Sequence, residues 1–374
     1  MMDNDLPASL IRNESMQLRA ITLLSTLLRK GTVPHALLFT GMEGVGKQSV
    51  AMMFAMACNC PDVTAQFPVV SGPSHKVRGN GNIKHQTSNI KYQNSYPCGV
   101  CRSCRKIQSG NHPDISLIEP SGAFIKIDQI RTLCHTLGMK PYEAEMRVVI
   151  IINAQAMNPE SGNALLKVLE EPPDRTVLIL TAIQTSDLLS TIVSRCQHIR
   201  FDPISREKLE YLLVREQGLD PNDAGIISVL ANGSYAGALS MIRTNWIKRR
   251  NWLINELESL IVGDASTQFP IARLLGFAEK LSKNKDTLPD SLEVMKTWLR
   301  DLIICKLVPD SDRRYDPERI INRDLTDRIQ HISQNIMAEP LLSKIKAIQS
   351  AQKKLRSNAN VRLTLEALLM RLAQ

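Results

Sequence analysis

Two groups of residues in this chain could carry chemistry. The first, Gly41-Met42-Glu43-Gly44-Val45-Gly46-Lys47, has the spacing of a loop that wraps phosphates. Gly41, Gly44 and Gly46 let backbone N–H groups turn toward an anion, and Lys47 offers a cation to the terminal phosphates. A helix starting there would add the positive potential of its N-terminus. The next residue should carry a hydroxyl for magnesium, but it is Gln48, with Ser49 one place late. One residue turns a side chain by roughly 100° around a helix, so Ser49 is no simple substitute. The second group is Cys98-x-x-Cys101-x-x-Cys104, three thiols in a tight loop at a spacing that suits tetrahedral zinc. Either Cys58 or Cys60 can supply the fourth ligand, with His112 as an outside candidate. Four protein ligands would make the site structural rather than catalytic. Cys134, Cys196 and Cys305 read as small apolar residues.

These groups need elements to hold them. His35–Thr40 is a short unbroken apolar run leading into the phosphate loop, as expected of a strand covered on both faces. A helix is expected from Ser15 to Leu28, closed by Gly31, and another from Gly46 to Cys58. Two further strand-like runs are Val148–Ile152 and Val177–Leu180. Between them Asn158 can cap a helix, with Pro159 in its first position and Pro172-Pro173 after its end. Strands alternating with helices predict a parallel α/β sheet. The run Val148–Ile152 ends in Asn153-Ala154-Gln155, without the acidic pair that hydrolysis needs. The loop therefore reads as a relic that binds nucleotide weakly or not at all. Residues 61–97 are rich in Ser, Asn, Gly, Pro and Gln and read as a flexible insertion. After about Pro203 helical periodicity dominates to the end.

With 374 residues, two or three domains are expected. An apolar fraction of 43% beside 4% aromatics favours aliphatic helices and buried parallel strands over an aromatic β-sandwich. The net charge of +9 suits an acidic partner such as nucleic acid, or simply solvated helix faces. There is no basic-then-apolar leader pattern and no membrane-length apolar run, so a cytoplasmic location without membrane contact is expected. Eight cysteines in that compartment point to metal or free thiols.

Several segments together resemble one family. They are Val33-Pro34-His35-Ala36-Leu37-Leu38-Phe39, the phosphate loop, the cysteine triplet and His112-Pro113-Asp114. Asn163-Ala164-Leu165-Leu166-Lys167-Val168-Leu169-Glu170-Glu171-Pro172-Pro173 and Ser194-Arg195-Cys196 follow. The ordered set resembles the bacterial clamp-loader branch of the AAA+ proteins over about the first 200 residues. That resemblance implies three domains. An α/β phosphate-loop domain with a parallel sheet and an inserted zinc module spans 1–203. A small helical lid spans 204–262 and an all-α collar 263–374. It also implies structural zinc on Cys60, Cys98, Cys101 and Cys104, Cys60 being preferred to Cys58 by position.

In that family five subunits form a hetero-oligomeric ring that places the sliding clamp on primed DNA. The arginine of the Ser-Arg-Cys motif, here Arg195, reaches the ATP of a neighbour. The γ/τ motors keep the loop hydroxyl, the acidic pair and a lid arginine. This chain has Gln48, Asn153-Ala154 and Gly233-Ser234-Tyr235-Ala236-Gly237-Ala238-Leu239 instead. The expectation is a non-hydrolysing subunit, partnered by γ/τ, δ, the clamp and primer-template DNA. Two alternatives are a γ/τ-like ATPase motor, which would hydrolyse ATP alone, and a zinc-stabilised DNA-binding adaptor, which would bind DNA tightly as a monomer.

Overall fold

The computed structural model describes residues 17–65, 96–261, 271–284, 287–307, 320–357 and 359–373. They fall into two units, 1–205 with 233–236, and 206–232 with 237–374. Most of the expected insertion, 66–95, lies outside the described residues.

In the first unit the strands are β1 (Ala36–Thr40), β2 (Ile115–Ile118), β3 (Arg147–Ile151), β4 (Thr176–Ala182) and β5 (Gln197–Arg200). All pair in parallel, in the order β2-β3-β4-β1-β5. The three predicted apolar runs form the central strands, and every residue of β1, β3 and β4 is buried. The edge strands β2 and β5 were not among the predicted runs. In β5 only Ile199 is buried, so the segment reads as polar.

Alternation along the strands divides the core in two. Leu37, Phe39, Val148, Ile150, Val177 and Ile179 face one side. There they meet α1 (Leu18–Lys30), α2 (Lys47–Cys58), the single turn α3 (Pro61–Thr64) and α4 (Arg102–Gln108). Ala36, Leu38, Val149, Ile151, Leu178 and Leu180 face the other side. They meet α5 (Ile127–Leu137), α6 (Pro159–Glu170) and α7 (Ser190–Val193). Each fully buried aliphatic side chain contributes about 1.5–3 kcal/mol, which explains why strands covered on both faces must be apolar throughout. As expected, the Asn158 side chain caps α6 by accepting from the Ser161 amide at 2.8 Å, with Pro159 next.

His112-Pro113-Asp114 leads into β2 as a structural anchor. The buried Asp114 carboxylate accepts from the amides of Tyr142, Glu143 and Ala144 at 2.7–2.8 Å and lies 3.7 Å from the buried Arg147 guanidinium. His112 is also committed here, its Nδ1 accepting from the Asp114 amide at 3.2 Å. Burial acts to raise the Asp114 pKa, but the three amides and Arg147 outweigh it and hold the carboxyl below its usual range. A carboxylate depressed in the folded state adds stability above its unfolded pKa of about 3.9, and that stability fades as pH falls through the folded value. Asp114→Asn should therefore cost roughly 1–3 kcal/mol at neutral pH, since it removes the charge that the three amides and Arg147 favour, while Arg147 keeps the carbonyls of Thr136 and Leu137. Chemical denaturation against pH should show the gap to wild type shrinking only in acid.

The second unit is helical: α8 (Arg206–Gln217), α9 (Pro221–Leu230), α10 (Tyr235–Arg243), α11 (Trp246–Ile261), α12 (Ile271–Lys283), α13 (Leu288–Leu307), α14 (Thr326–Gln334), α15 (Ala338–Arg356) and α16 (Val361–Leu372). The first residues of α10, up to Ala236, belong to the first unit. One core built on Leu253, Leu257, Phe277, Trp298, Leu302 and Leu369 joins residues on both sides of position 262. Inside it the fully buried Arg250 reaches Asn322 at 3.0 Å and Asp324 at 2.7 Å, while Asp301 accepts from Asn322. Among the described residues no helix is long and apolar enough to cross a membrane.

Candidate functional site

The phosphate loop lies where the sequence predicts, between the end of β1 and the start of α2. Gly44 and Gly46 adopt φ of 79° and 99°, and Lys47 opens the helix. The Lys47 Nζ donates back to the carbonyls of Gly41 at 2.5 Å and Met42 at 2.9 Å. Burial lowers its pKa, with Glu43 opposing. The loop is also covered from afar. The Ala236 amide donates to the Gly44 carbonyl at 3.3 Å, and a Cβ on Gly44 would lie 2.1 Å from the Ser234 Oγ. The sequence marks 233–236 only by a missing arginine. Its contact with a loop about 190 residues earlier has no local signal. Gly44→Ala should lower stability by at least about 1–2 kcal/mol from the left-handed backbone alone. Thermal unfolding should show the loss, and Gly46→Ala, whose Cβ meets nothing within 4 Å, should lose less.

At the end of β3, Asn153 takes a left-handed φ of 51° and its amide donates to the Thr181 Oγ1 at 3.0 Å. Asn153-Ala154-Gln155 brings no carboxylate to this point, so these residues offer nothing to hold magnesium or polarise water.

Arg195 follows α7 and precedes β5. Its Nη2 meets Glu170 Oε1 at 2.7 Å, and its Nη1 donates to the Thr191 carbonyl at 3.0 Å. The side chain is 35% exposed and that of Glu170 51%. Glu170 is the last residue of α6, within the motif that the resemblance singles out, yet its pairing with Arg195 was not foreseen. An exposed pair of this kind is worth about 0–1 kcal/mol, so the guanidinium is held in place without being trapped. Cys196 is half-buried, and burial pushes its thiol up to about 12.

The cysteines separate cleanly. The Sγ atoms of Cys60, Cys98, Cys101 and Cys104 lie within 4.8 Å of one another. Cys58 is fully buried in the core against the sheet, and burial raises its thiol pKa. Backbone amides point at the sulfurs. Cys98 N–H donates to Cys60 at 3.4 Å, Cys101 N–H to Cys98 at 3.3 Å and Cys104 N–H to Cys101 at 3.4 Å. Burial raises the Cys60 and Cys104 thiols. At Cys98 burial also pushes up, but the amides of Val100 and Cys101 prevail and lower it. Tetrahedral Zn–S bonds of about 2.3 Å place sulfurs about 3.8 Å apart, so small side-chain adjustments bring these four onto one ion. The donor set fits a soft, closed metal site.

Comparison with known proteins agrees with the motifs. The family described as "DNA polymerase III, delta subunit" matches residues 16–92 and 81–205. That described as "DNA polymerase III, delta subunit, C terminal" matches 244–374. DNA polymerase III subunit delta' of Bacillus subtilis is 28% identical over 362 residues, covering 96% of this chain and 97% of its own. Subunit delta' of Pseudomonas aeruginosa is 35% identical over 164 residues, covering 43% of this chain and 41% of its own. Subunit tau of Escherichia coli is 29% identical over 231 residues, 60% of this chain but 31% of its own. A solved gamma subunit-related protein of Thermotoga maritima aligns over 94% of this chain and 98% of its own, with TM-score 0.41 and 18% identity. The first family model alone reaches from residue 16 to 205, half the length, and the chain belongs to the DNA polymerase III delta-subunit family.

Proposed function

We propose that this chain is the non-hydrolysing δ′ subunit of a DNA polymerase III clamp loader, bracing a pentameric ring and lending Arg195 to the ATP site of a neighbour. The observation that carries this reading is a contrast within one domain. The groups needed for hydrolysis are absent at Gln48 and Asn153, while Arg195 stands half-exposed on a weak tether. A guanidinium supplied in trans acts on charge that develops as the bond to the leaving phosphate oxygen breaks. Release from Glu170 costs at most about 1 kcal/mol, which a γ-phosphate contact readily offsets.

In this reading 1–203 is the AAA+ domain, 204–262 the lid and 263–374 the collar. Partners are the γ/τ and δ subunits, and through them the clamp and primer-template DNA, in the cytoplasm. Cys60, Cys98, Cys101 and Cys104 hold structural zinc, which stiffens the junction between α2 and α4. Gly41, Gly44, Gly46 and Lys47 form a degenerate phosphate loop that binds nucleotide weakly or not at all, since Gln48 lacks the magnesium hydroxyl and Asn153 the carboxylate.

The test is to compare magnesium-dependent ATP hydrolysis by the purified chain with that by γ and δ before and after the chain is added. The reading expects nothing above background from the chain alone and a marked, primed-DNA-stimulated gain on addition. Robust hydrolysis by the chain alone would replace it with the motor reading.

A further inference from the structure

The last two helices, α15 and α16, pack together and leave a cleft of about 510 Å³ that includes Ser343, Lys344, Lys346 and Arg371 in its walls. It continues, through Ala347 and Arg371, into a narrower stretch that reaches Lys354 and Thr364. From Pro340 to Lys354 this groove follows α15 for about 21 Å at the helical rise. Four of its described wall residues are cationic, and none is acidic or aromatic.

The cations are not all spent within the protein. Lys344 is 7% exposed and donates to the Leu372 carbonyl, closing the end of α16 onto the groove floor. Lys346, Lys354 and Arg371 form no ion pair among the described residues. The nearby Glu366 is taken by Arg362 at 2.9 Å. Lys346 and Lys354 stand eight residues apart, about 12 Å along the helix. Unpaired cations strung along one groove, with hydroxyls between them, match a linear array of phosphates.

We infer that the groove between α15 and α16 is a binding track for the phosphate backbone of duplex DNA, with Lys346, Lys354 and Arg371 as its phosphate contacts. A single strand fits less well, because its affinity draws on aromatic platforms for the bases and the groove walls have none. An acidic protein helix also fits less well. The exposed Leu342, Leu363 and Met370 that could anchor one lie outside the groove walls. Contact with phosphates alone makes the binding weak, independent of sequence and steeply dependent on salt. This inference deepens the loader reading but rests on the groove, not on Arg195.

The test uses the full chain at low salt, with fluorescence anisotropy of short labelled duplexes of two unrelated sequences. Joint Lys346→Glu, Lys354→Glu and Arg371→Glu should weaken binding at least about tenfold and lower the slope of log affinity against log salt by about 2–3. Lys346→Gln with Arg371→Gln guards against misfolding and should lower that slope by about 2. A control reversing the exposed Lys30, Lys140 and Lys248 to Glu should lose much less. Equal loss in the control, unchanged binding in the groove variants, or tighter binding of a single strand or an acidic helical peptide would each overturn the inference. Arg195→Ala should leave this binding intact, so failure here and failure of the arginine reading are separately visible.

Discussion

Replacing Cys104 by serine should abolish stoichiometric metal and cost the first unit more than about 4 kcal/mol, because loss of a structural metal is among the most destabilising single changes. Cys104 is fully buried, with its Sγ in the same cluster as those of Cys60, Cys98 and Cys101. Without an ion, serine leaves a buried hydroxyl beside three thiols and no cation to justify their approach. The effect should spread, because Cys60, Cys104 and Ile107 belong to the same core as Phe54 and the sheet residues Phe39 and Val148. Elemental analysis should give one zinc per wild-type chain and none in Cys104→Ser, with a large drop in the thermal midpoint. Cys58→Ser should keep the metal while destabilising the core. Loss of zinc in Cys58→Ser but not in Cys60→Ser would reverse the choice of fourth ligand.

Arg195→Ala should slow hydrolysis at the ATP site it serves by about 10³-fold or more, while leaving assembly unaffected. The Arg195 side chain makes only exposed contacts, an ion pair with Glu170, the Thr191 carbonyl at 3.0 Å and a long 3.4 Å hydrogen bond to the Ser194 hydroxyl, so the folded subunit should keep its stability within about 0.5 kcal/mol. Arg195→Lys keeps the charge but not the planar fork, and should recover little of the rate. A turnover defect with unchanged ATP affinity would mark a group that acts on the developing charge rather than on the bound ground state.

Much of this was legible in the residues. Continuous apolar runs gave β1, β3 and β4 because central parallel strands are buried on both faces. Edge strands escape that rule. Gln197-His198-Ile199-Arg200 needs one buried residue, and its pairing with β1 is set by non-local contact. The cysteine triplet was plain, yet spacing could not choose between Cys58 and Cys60. The family resemblance preferred Cys60 by position, and the fold shows the reason: Cys58 ends α2 inside the core while Cys60 begins the next turn facing the triplet. The phosphate loop was read with its defects, whereas its cover by Ser234 and Ala236 required tertiary structure. Asp114 was visible as a motif residue, but its work of gathering three amides and Arg147 was not.

The most direct test of the central claim is hydrolysis by a loader reconstituted from γ, δ, clamp and primed DNA with either the wild-type chain or Arg195→Ala. Co-elution of all subunits is verified in both, and turnover is read at the γ site that adjoins this chain. The account predicts intact assembly with that site slowed about 10³-fold. Equal turnover with both chains would contradict it and leave this subunit a brace alone.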